Sequence, residues 1–302
     1  MGKIKRSFEL AKGSWKILKR DKFLVIFPLI SSLTALLVAI SFLVPLGLYF
    51  YHVNFAGANS AWLSTAEEGA FNLSLDFKSP FFYPAFFIFY LLSYFIVFFF
   101  NCALIQCVLN RLEGKAASLR IGLESAWRHK WALLVWALIS ATVGLIFKII
   151  ENRSHLLGKI IASLLGAAWT VTTYFMVPVL VFEETSVKNG LKRSVGLFRN
   201  IWGEQVVGII GLGTFFALIM ITGFFACLIS LGLAGYLMGG TTGLVMGLII
   251  GFVLGVLLML FLGLIKSALT EIYRTVLYSY GITGMMAAEF PKDIVPIPSK
   301  QL

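Results

Sequence analysis

The sequence predicts an all-α, polytopic membrane protein in which six transmembrane helices form three hairpins, joined on the cytoplasmic side by amphipathic elbow helices. Three observations carry that expectation. Of 302 residues, 59% are hydrophobic and 13% charged, about half the charge of an ordinary soluble chain. Six apolar stretches reach the roughly 20 residues that a helix needs to cross a hydrocarbon core about 30 Å thick. The basic residues are segregated, with 21 of the 25 Lys and Arg falling in alternate connecting segments.

The first element runs from Lys3 to Arg20, where Ile4, Phe8, Ala11, Trp15 and Leu18 recur at three- and four-residue steps. Lys5, Lys12, Lys16 and Lys19 take other faces, the pattern of a helix lying in the membrane interface. Phe23 to Tyr51 is the first span, and its 29 residues without a small-residue cleavage site read as a retained anchor. His52 to Pro80 is too polar to span and reads as an external loop over 52–80. Phe81 to Leu109 is the second span, crowded with phenylalanine for packing and lipid contact.

A second elbow follows, with Leu119, Leu123 and Trp127 in register and Ser118 as its N-cap. Trp131 to Ile150 and Ile160 to Phe182 are the third and fourth spans. Val187 to Trp202 repeats the elbow design through Val187, Leu191, Val195 and Phe198, with Lys188, Lys192 and Arg199 pointing away. Gln205 to Ala234 and Gly243 to Ile265 are the fifth and sixth spans. A final elbow from Lys266 to Tyr280 carries Leu269, Ile272 and Val276.

These elements form one transmembrane domain over 1–302. Residues 1–109, 110–182 and 183–265 are each an elbow plus a hairpin, and 266–302 is a C-terminal elbow and tail. A shift of 180 positions puts Ser14 on Ser194, and a shift of 112 puts Trp15 on Trp127 and Lys16 on Arg128, as internal repetition requires. Independent growth of similar basic connectors is the competing account.

Charge fixes the orientation. The segments carrying the 21 basic residues include both chain ends, so the positive-inside rule puts both termini in the cytoplasm. Trp15, Trp127, Trp131 and Trp202 fall at the same boundary, where an amphipathic ring straddles headgroup and tail. The formal charge of +11 therefore faces anionic phospholipid headgroups, and no nucleic acid is needed to explain it. Lys5, Lys12, Lys16, Lys19, Arg20, Lys192 and Arg193 are the expected lipid contacts.

Glycine marks the last hairpin. Gly235, Gly239, Gly243, Gly247, Gly251 and Gly255 stand four apart, a glycine zipper pattern that lets helix backbones approach closely. Such a repeat drifts about 40° per step on a straight helix. Gly239 to Thr242 is therefore expected to turn, leaving Gly243, Gly247, Gly251 and Gly255 as a groove. The groove receives either the fifth span or a neighbouring subunit of a homo-oligomer.

Chemistry is sparse. No span carries a charged residue near its middle, which argues against a proton- or sodium-coupled carrier. Asn101, Gln106, Trp169, Thr170, Thr172 and Thr173 are the candidate lining of a polar cavity. His52, His129 and His155 are scattered, and Cys102, Cys107 and Cys227 form no pair with metal-ligand spacing. There is no phosphate loop, dinucleotide fingerprint or HExxH helix. The expectation is a protein with no catalytic residue, cofactor or metal, acting as a membrane scaffold or lipid-interacting protein. The alternative is a passive channel or uncoupled transporter for a small solute or lipid.

Two runs carry a resemblance: RSFELAKGSWKILKRDKFLVIFPLIS at Arg6 to Ser31 and GAAWTVTTYFMVPVLVFEETSVKNGLKRSVGLFRNIWGE at Gly166 to Glu204. With the TEIYRTVLYSYGITG elbow they resemble a prokaryotic six-span membrane family of unknown function. The motif positions are Pro178, Glu183, Ser194 and the Trp202-Gly203-Glu204 turn. The resemblance implies a multi-pass protein of the prokaryotic cytoplasmic (inner) membrane. The chain is more loosely similar to membrane domains that accompany glycerophosphodiester phosphodiesterases. Pro178, Glu183, Ser194 and Trp202 read as a structural junction, with Pro178 opening a helix carbonyl and Glu183 pairing with Arg193 or another elbow cation.

Overall fold

The computed structural model describes residues 3–51, 82–153, 156–183 and 185–283. The expected external loop over 52–80, His155 and the side chains of Lys5 and Trp202 lie outside the described residues. Every regular element described is helical: α1 (Lys3–Arg20), a 3-10 turn (Lys22–Val25), α2 (Ile26–Tyr51), α3 (Phe82–Leu112), α4 (Leu119–Arg128), α5 (Lys130–Arg153), α6 (Leu156–Thr172), α7 (Met176–Phe182) and α8 (Val187–Thr283). Five helical stretches among the described residues are long and apolar enough to cross a membrane: Lys22–Pro45, Pro84–Leu112, Lys130–Glu151, Gly158–Phe182 and Gln205–Ile282.

The last of these is 78 residues long and contains both the fifth and the sixth expected spans. It does not run straight. Gly240 adopts φ +60°, a left-handed conformation that costs a residue without Cβ little, and the backbone doubles back there. Gly235 then faces Gly243, Gly247 faces Leu231 and Gly232, Gly251 faces Cys227 and Leu228, and Gly255 faces Phe224. The groove expected at Gly243, Gly247, Gly251 and Gly255 is thus filled by the other arm of the same chain. A Cβ on Gly243 or Gly247 would collide with the carbonyl of Gly235 or Leu231, and one on Gly251 would lie 2.8 Å from the Cys227 carbonyl. Farther down, Gly223 meets Leu258 and Gly208 meets Tyr273, so the two arms stay antiparallel.

The chain groups into two compact units. The first unit takes the residues up to Leu29, Phe99–Ala132 and the chain from Trp169 onward. Its core is Leu24 and Phe27, the end of α3 from Cys102 to Leu109, α7, and the end of α8 from Ala268 to Tyr280. Cys102 and Cys107 are buried free thiols in that core. Gly122 of α4 lets this helix close on α3: a Cβ there would lie 2.7 Å from the Ala103 carbonyl and 2.9 Å from Cys107 Sγ. The second unit takes Ile30–Phe98 and Leu133–Ala168. In it Tyr90, Tyr94 and Phe98 stack along α3 at 6.3 and 5.8 Å, and Trp136 of α5 continues the ladder 6.1 Å from Phe98.

The glycine contacts yield a test. Gly247→Ala should destabilise the protein by about 1–3 kcal/mol, because backbone cannot yield as a side chain does. Gly211→Ala, with open space at the Cβ position, should be neutral or slightly stabilising. Thermal unfolding of the purified variants in one detergent measures both.

Candidate functional site

The elbow helices present the same surface twice. On α1, Ser7, Leu10, Ser14, Ile17 and Leu18 are buried and, at about 100° per residue, share one arc. α1 packs against α8. Phe8 (68% exposed) and Trp15 (39%) occupy a second, outward arc. Lys12, Lys16, Lys19 and Arg20, all exposed, follow beside it. The stripe read from the sequence is therefore largely the outward one. The inward arc escaped sequence reading because two of its members are serines, whose small size allows close approach.

α4 repeats this division. Ser118 caps it, its Oγ accepting the Ile121 N–H at 3.3 Å. Gly122, Ser125 and Ala126 are buried, while Trp127 (64%) and, at the start of α5, Trp131 (70%) are exposed. The Lys130 ammonium lies 4.2 Å from the Trp127 ring centroid and 5.7 Å from that of Trp131, and Lys19 lies 5.9 Å from Trp15. At the start of α8, Gly190, Ser194 and Leu197 are buried while Lys188, Lys192 and Arg199 are exposed. The 180-residue shift superposes Leu10, Ser14 and Ile17 on those three buried positions.

The fourth expected span is broken. α6 stops at Thr172 and α7 starts at Met176; between them the Tyr174 N–H reaches the Val171 carbonyl at 3.4 Å and the Met176 N–H the Thr173 carbonyl at 3.0 Å. Three-residue spacing replaces four. Pro178 has no N–H for the Tyr174 carbonyl, and its ring crowds that carbonyl. As the third residue of α7 it lies in a first turn, where a missing N–H costs nothing. Ser194 closes the gap: its hydroxyl donates to the Thr172 carbonyl at 2.7 Å and accepts the Phe175 N–H at 3.2 Å. Ser194 is fully buried.

Among the ion pairs described in the first unit, three involve half-buried or buried partners. Arg111 Nη2 donates to Asp21 Oδ1 at 2.7 Å, tying α3 to the end of α1. Arg193 Nε donates to Glu183 Oε1 at 2.9 Å, and Tyr278 Oη donates to the same oxygen at 3.2 Å. Glu183 thus joins α7, the third elbow and the end of α8. Arg193, expected at the lipid surface as well as beside Glu183, is half-buried in this junction, while Lys192 stays outward. The third pair, Glu271 with Arg274 at 3.1 Å, was not singled out from the sequence. Its signal was an oppositely charged pair three residues apart inside the apolar run of Leu269, Ile272 and Val276.

The candidate cavity residues are placed as follows. Gln106 Nε2 donates to Asn110 Oδ1 at 2.8 Å and its Oε1 accepts from Ser125 at 3.1 Å, so it ties α3 to α4. Thr173 Oγ1 donates to the Trp169 carbonyl at 2.8 Å. Asn101, Trp169 and Thr172 are half-buried and Thr170 is exposed. Among the described residues no three His, Cys, Asp or Glu side chains converge as metal ligands would.

The pattern of a family of unknown function, DUF6159, matches residues 81–288. The chain belongs to this family. The DUF6159 match begins at α3 and runs past the end of α8, so it covers the helix break, Ser194 and the glycine hairpin and leaves α1 outside. No curated protein and no solved structure matches. The looser likeness to phosphodiesterase-associated membrane domains has no counterpart in these comparisons.

Ser194→Ala should destabilise this DUF6159 member by about 1–3 kcal/mol, because it leaves the buried Phe175 amide without its hydroxyl partner and removes a bond to the Thr172 carbonyl. Ser14→Ala should cost less, since Ser14 Oγ only donates to the Leu10 carbonyl of its own helix, at 2.8 Å. Unfolding midpoints of the two variants against the parent decide it.

Proposed function

We propose that this DUF6159 chain is a non-enzymatic, multi-pass membrane protein whose elbow helices bind the anionic surface of the cytoplasmic leaflet. In this reading it crosses a prokaryotic inner membrane six times in three hairpins, with both termini in the cytoplasm. The observation that carries it is the outward surface of α1, α4 and the start of α5, where exposed Trp15, Trp127 and Trp131 stand beside Lys19 and Lys130. An aromatic ring flanked by ammonium groups suits the boundary between headgroup and acyl chain, and each basic residue near an anionic surface contributes about 1 kcal/mol. The partners are anionic phospholipid headgroups. The close fit of the two arms of α8 supports an intramolecular glycine zipper over a homo-oligomeric seam.

A second reading, a passive channel or uncoupled transporter, draws on the break at Thr173 to Phe175, since interrupted helices line solute paths in many transporters. It requires flux of a small solute through proteoliposomes above that of empty vesicles.

The lipid reading is tested with a Lys3 to Lys22 peptide and vesicles. Replacing Lys12, Lys16 and Lys19 by Gln should weaken binding to phosphatidylglycerol vesicles by about a hundredfold at low salt. The parent peptide should lose most of its affinity as salt rises. Equal binding to neutral vesicles would remove the electrostatic part of the reading.

A further inference from the structure

The junction of α4 and α5 is fixed from the protein side. Gly122, Ser125 and Ala126 face inward. A Cβ on Gly122 would lie 2.7 Å from the Ala103 carbonyl, and Ser125 Oγ donates to Gln106 Oε1 at 3.1 Å, so α4 has little freedom to roll on α3. His129 ends α4, its backbone N–H and its Nδ1 both reaching the Ser125 carbonyl, at 3.1 and 2.8 Å. α5 begins at the next residue. With the inner face occupied by α3, the last turn of α4 and the first of α5 leave Trp127 and Trp131 outward and exposed, although few side chains have more apolar area to hide. Between them the Lys130 ammonium lies 4.2 Å from one ring centroid and 5.7 Å from the other, both within cation–π range.

The polar groups of this patch are all of one kind. An ammonium and an indole N–H donate hydrogen bonds and accept none, and among the described residues the side chains of Trp127, Lys130 and Trp131 meet no acceptor beyond the ring contacts themselves. Arg128 beside them is already matched with Glu124, 3.6 Å away. A cation and two indole donors among exposed rings suit an occupant that offers several negatively charged oxygens and, next to them, apolar surface. A free phosphate has no apolar part, and an acidic side chain has little. A phospholipid supplies both, phosphodiester oxygens for the donors and glycerol and acyl carbons for the rings. The position agrees. Lys130 opens the Lys130–Glu151 stretch, which is long and apolar enough to cross a membrane, and tryptophan at such an end sits at the level of the headgroups.

We propose that Trp127, Lys130 and Trp131 form a seat for the phosphodiester of one membrane phospholipid. The seat rests on the membrane reading above only in placing this junction at the bilayer surface; it recognises the phosphate, which zwitterionic lipids also carry, and not the net charge of the leaflet. The test is native mass spectrometry of the full chain in a maltoside detergent, titrated with dioleoyl-phosphatidylcholine or with dioleoylglycerol, which has the same chains and no phosphate. Lys130→Gln should weaken binding of the first phosphatidylcholine by about fivefold. Trp131→Phe, which keeps a ring and removes the N–H, should weaken it by about two- to fivefold. Lys130→Arg, which keeps the charge, and Arg128→Gln, which removes a neighbouring one, should bind like the parent. Dioleoylglycerol should bind all the variants alike, which also checks that they are folded. The seat is overturned if phosphatidylcholine binds Lys130→Gln as it binds the parent, if Arg128→Gln loses as much, or if dioleoylglycerol binding falls in step. A parent dimer that Lys130→Gln dissociates assigns the patch to a second copy of the chain and overturns it as well. The two lipid readings fail separately: loss of the Lys3 to Lys22 peptide's preference for phosphatidylglycerol removes the electrostatic one, and loss of the Lys130 effect removes the seat.

Discussion

A helix that stops beside an apolar core leaves amide and carbonyl groups in need of partners, and much of the first unit is organised around meeting that constraint. Ser194 meets it at the break after Thr172, where one hydroxyl serves both a carbonyl and an amide. The splice has consequences on either side. It lets α7 restart with Pro178 in its first turn and turns Tyr174 toward Arg274. It also holds the third elbow against α7, so that Glu183 at the end of α7 can receive both Arg193 and Tyr278. A serine on an elbow helix thereby sets the course of a helix 22 positions earlier in the chain.

On α1 the surface divides into three arcs. An inward arc of small and aliphatic residues meets the protein, an outward arc carries aromatic rings, and a third carries cations. The inward arc of α1 and that at the start of α8 are in register through Leu10 with Gly190, Ser14 with Ser194 and Ile17 with Leu197. Ser14 and Ser194 are equally buried, yet only Ser194 bonds across to another element. The two helices bury equivalent positions, and at only one of them does the serine reach across to a broken neighbour.

Burial is concentrated at particular levels of the helices. The residues from Cys102 to Leu109, from Tyr174 to Val181 and from Ala268 to Tyr280 are buried almost without interruption, whereas the stems of α2 and α8 expose Leu, Ile, Val and Phe along much of their length. Hydrocarbon is an acceptable solvent for those stems, so internal packing is needed only where elbows, helix ends and ion pairs bring polar groups together. The glycine arms of α8 are the exception. There, backbone contact replaces side-chain packing, as suits two helices that gain little from hiding apolar surface in lipid.

What the sequence determined alone were the features governed by local periodicity and by length. The extent of α1, the Ser118 cap, the reversal near Gly240 and the apolar stretches long enough to cross a bilayer all follow from neighbours within a few turns, or from the cost of bare backbone in hydrocarbon. Pro178, Glu183 and Ser194 were legible as a junction, but the bond geometry of that junction was not. Tertiary structure decided which face of α1 turns toward α8, that Ser194 completes an interrupted helix, and that Tyr174 meets the Glu271 and Arg274 pair. Each of these joins residues far apart in the chain, and a hydroxyl, a ring or a charge has no periodic signature that names its distant partner.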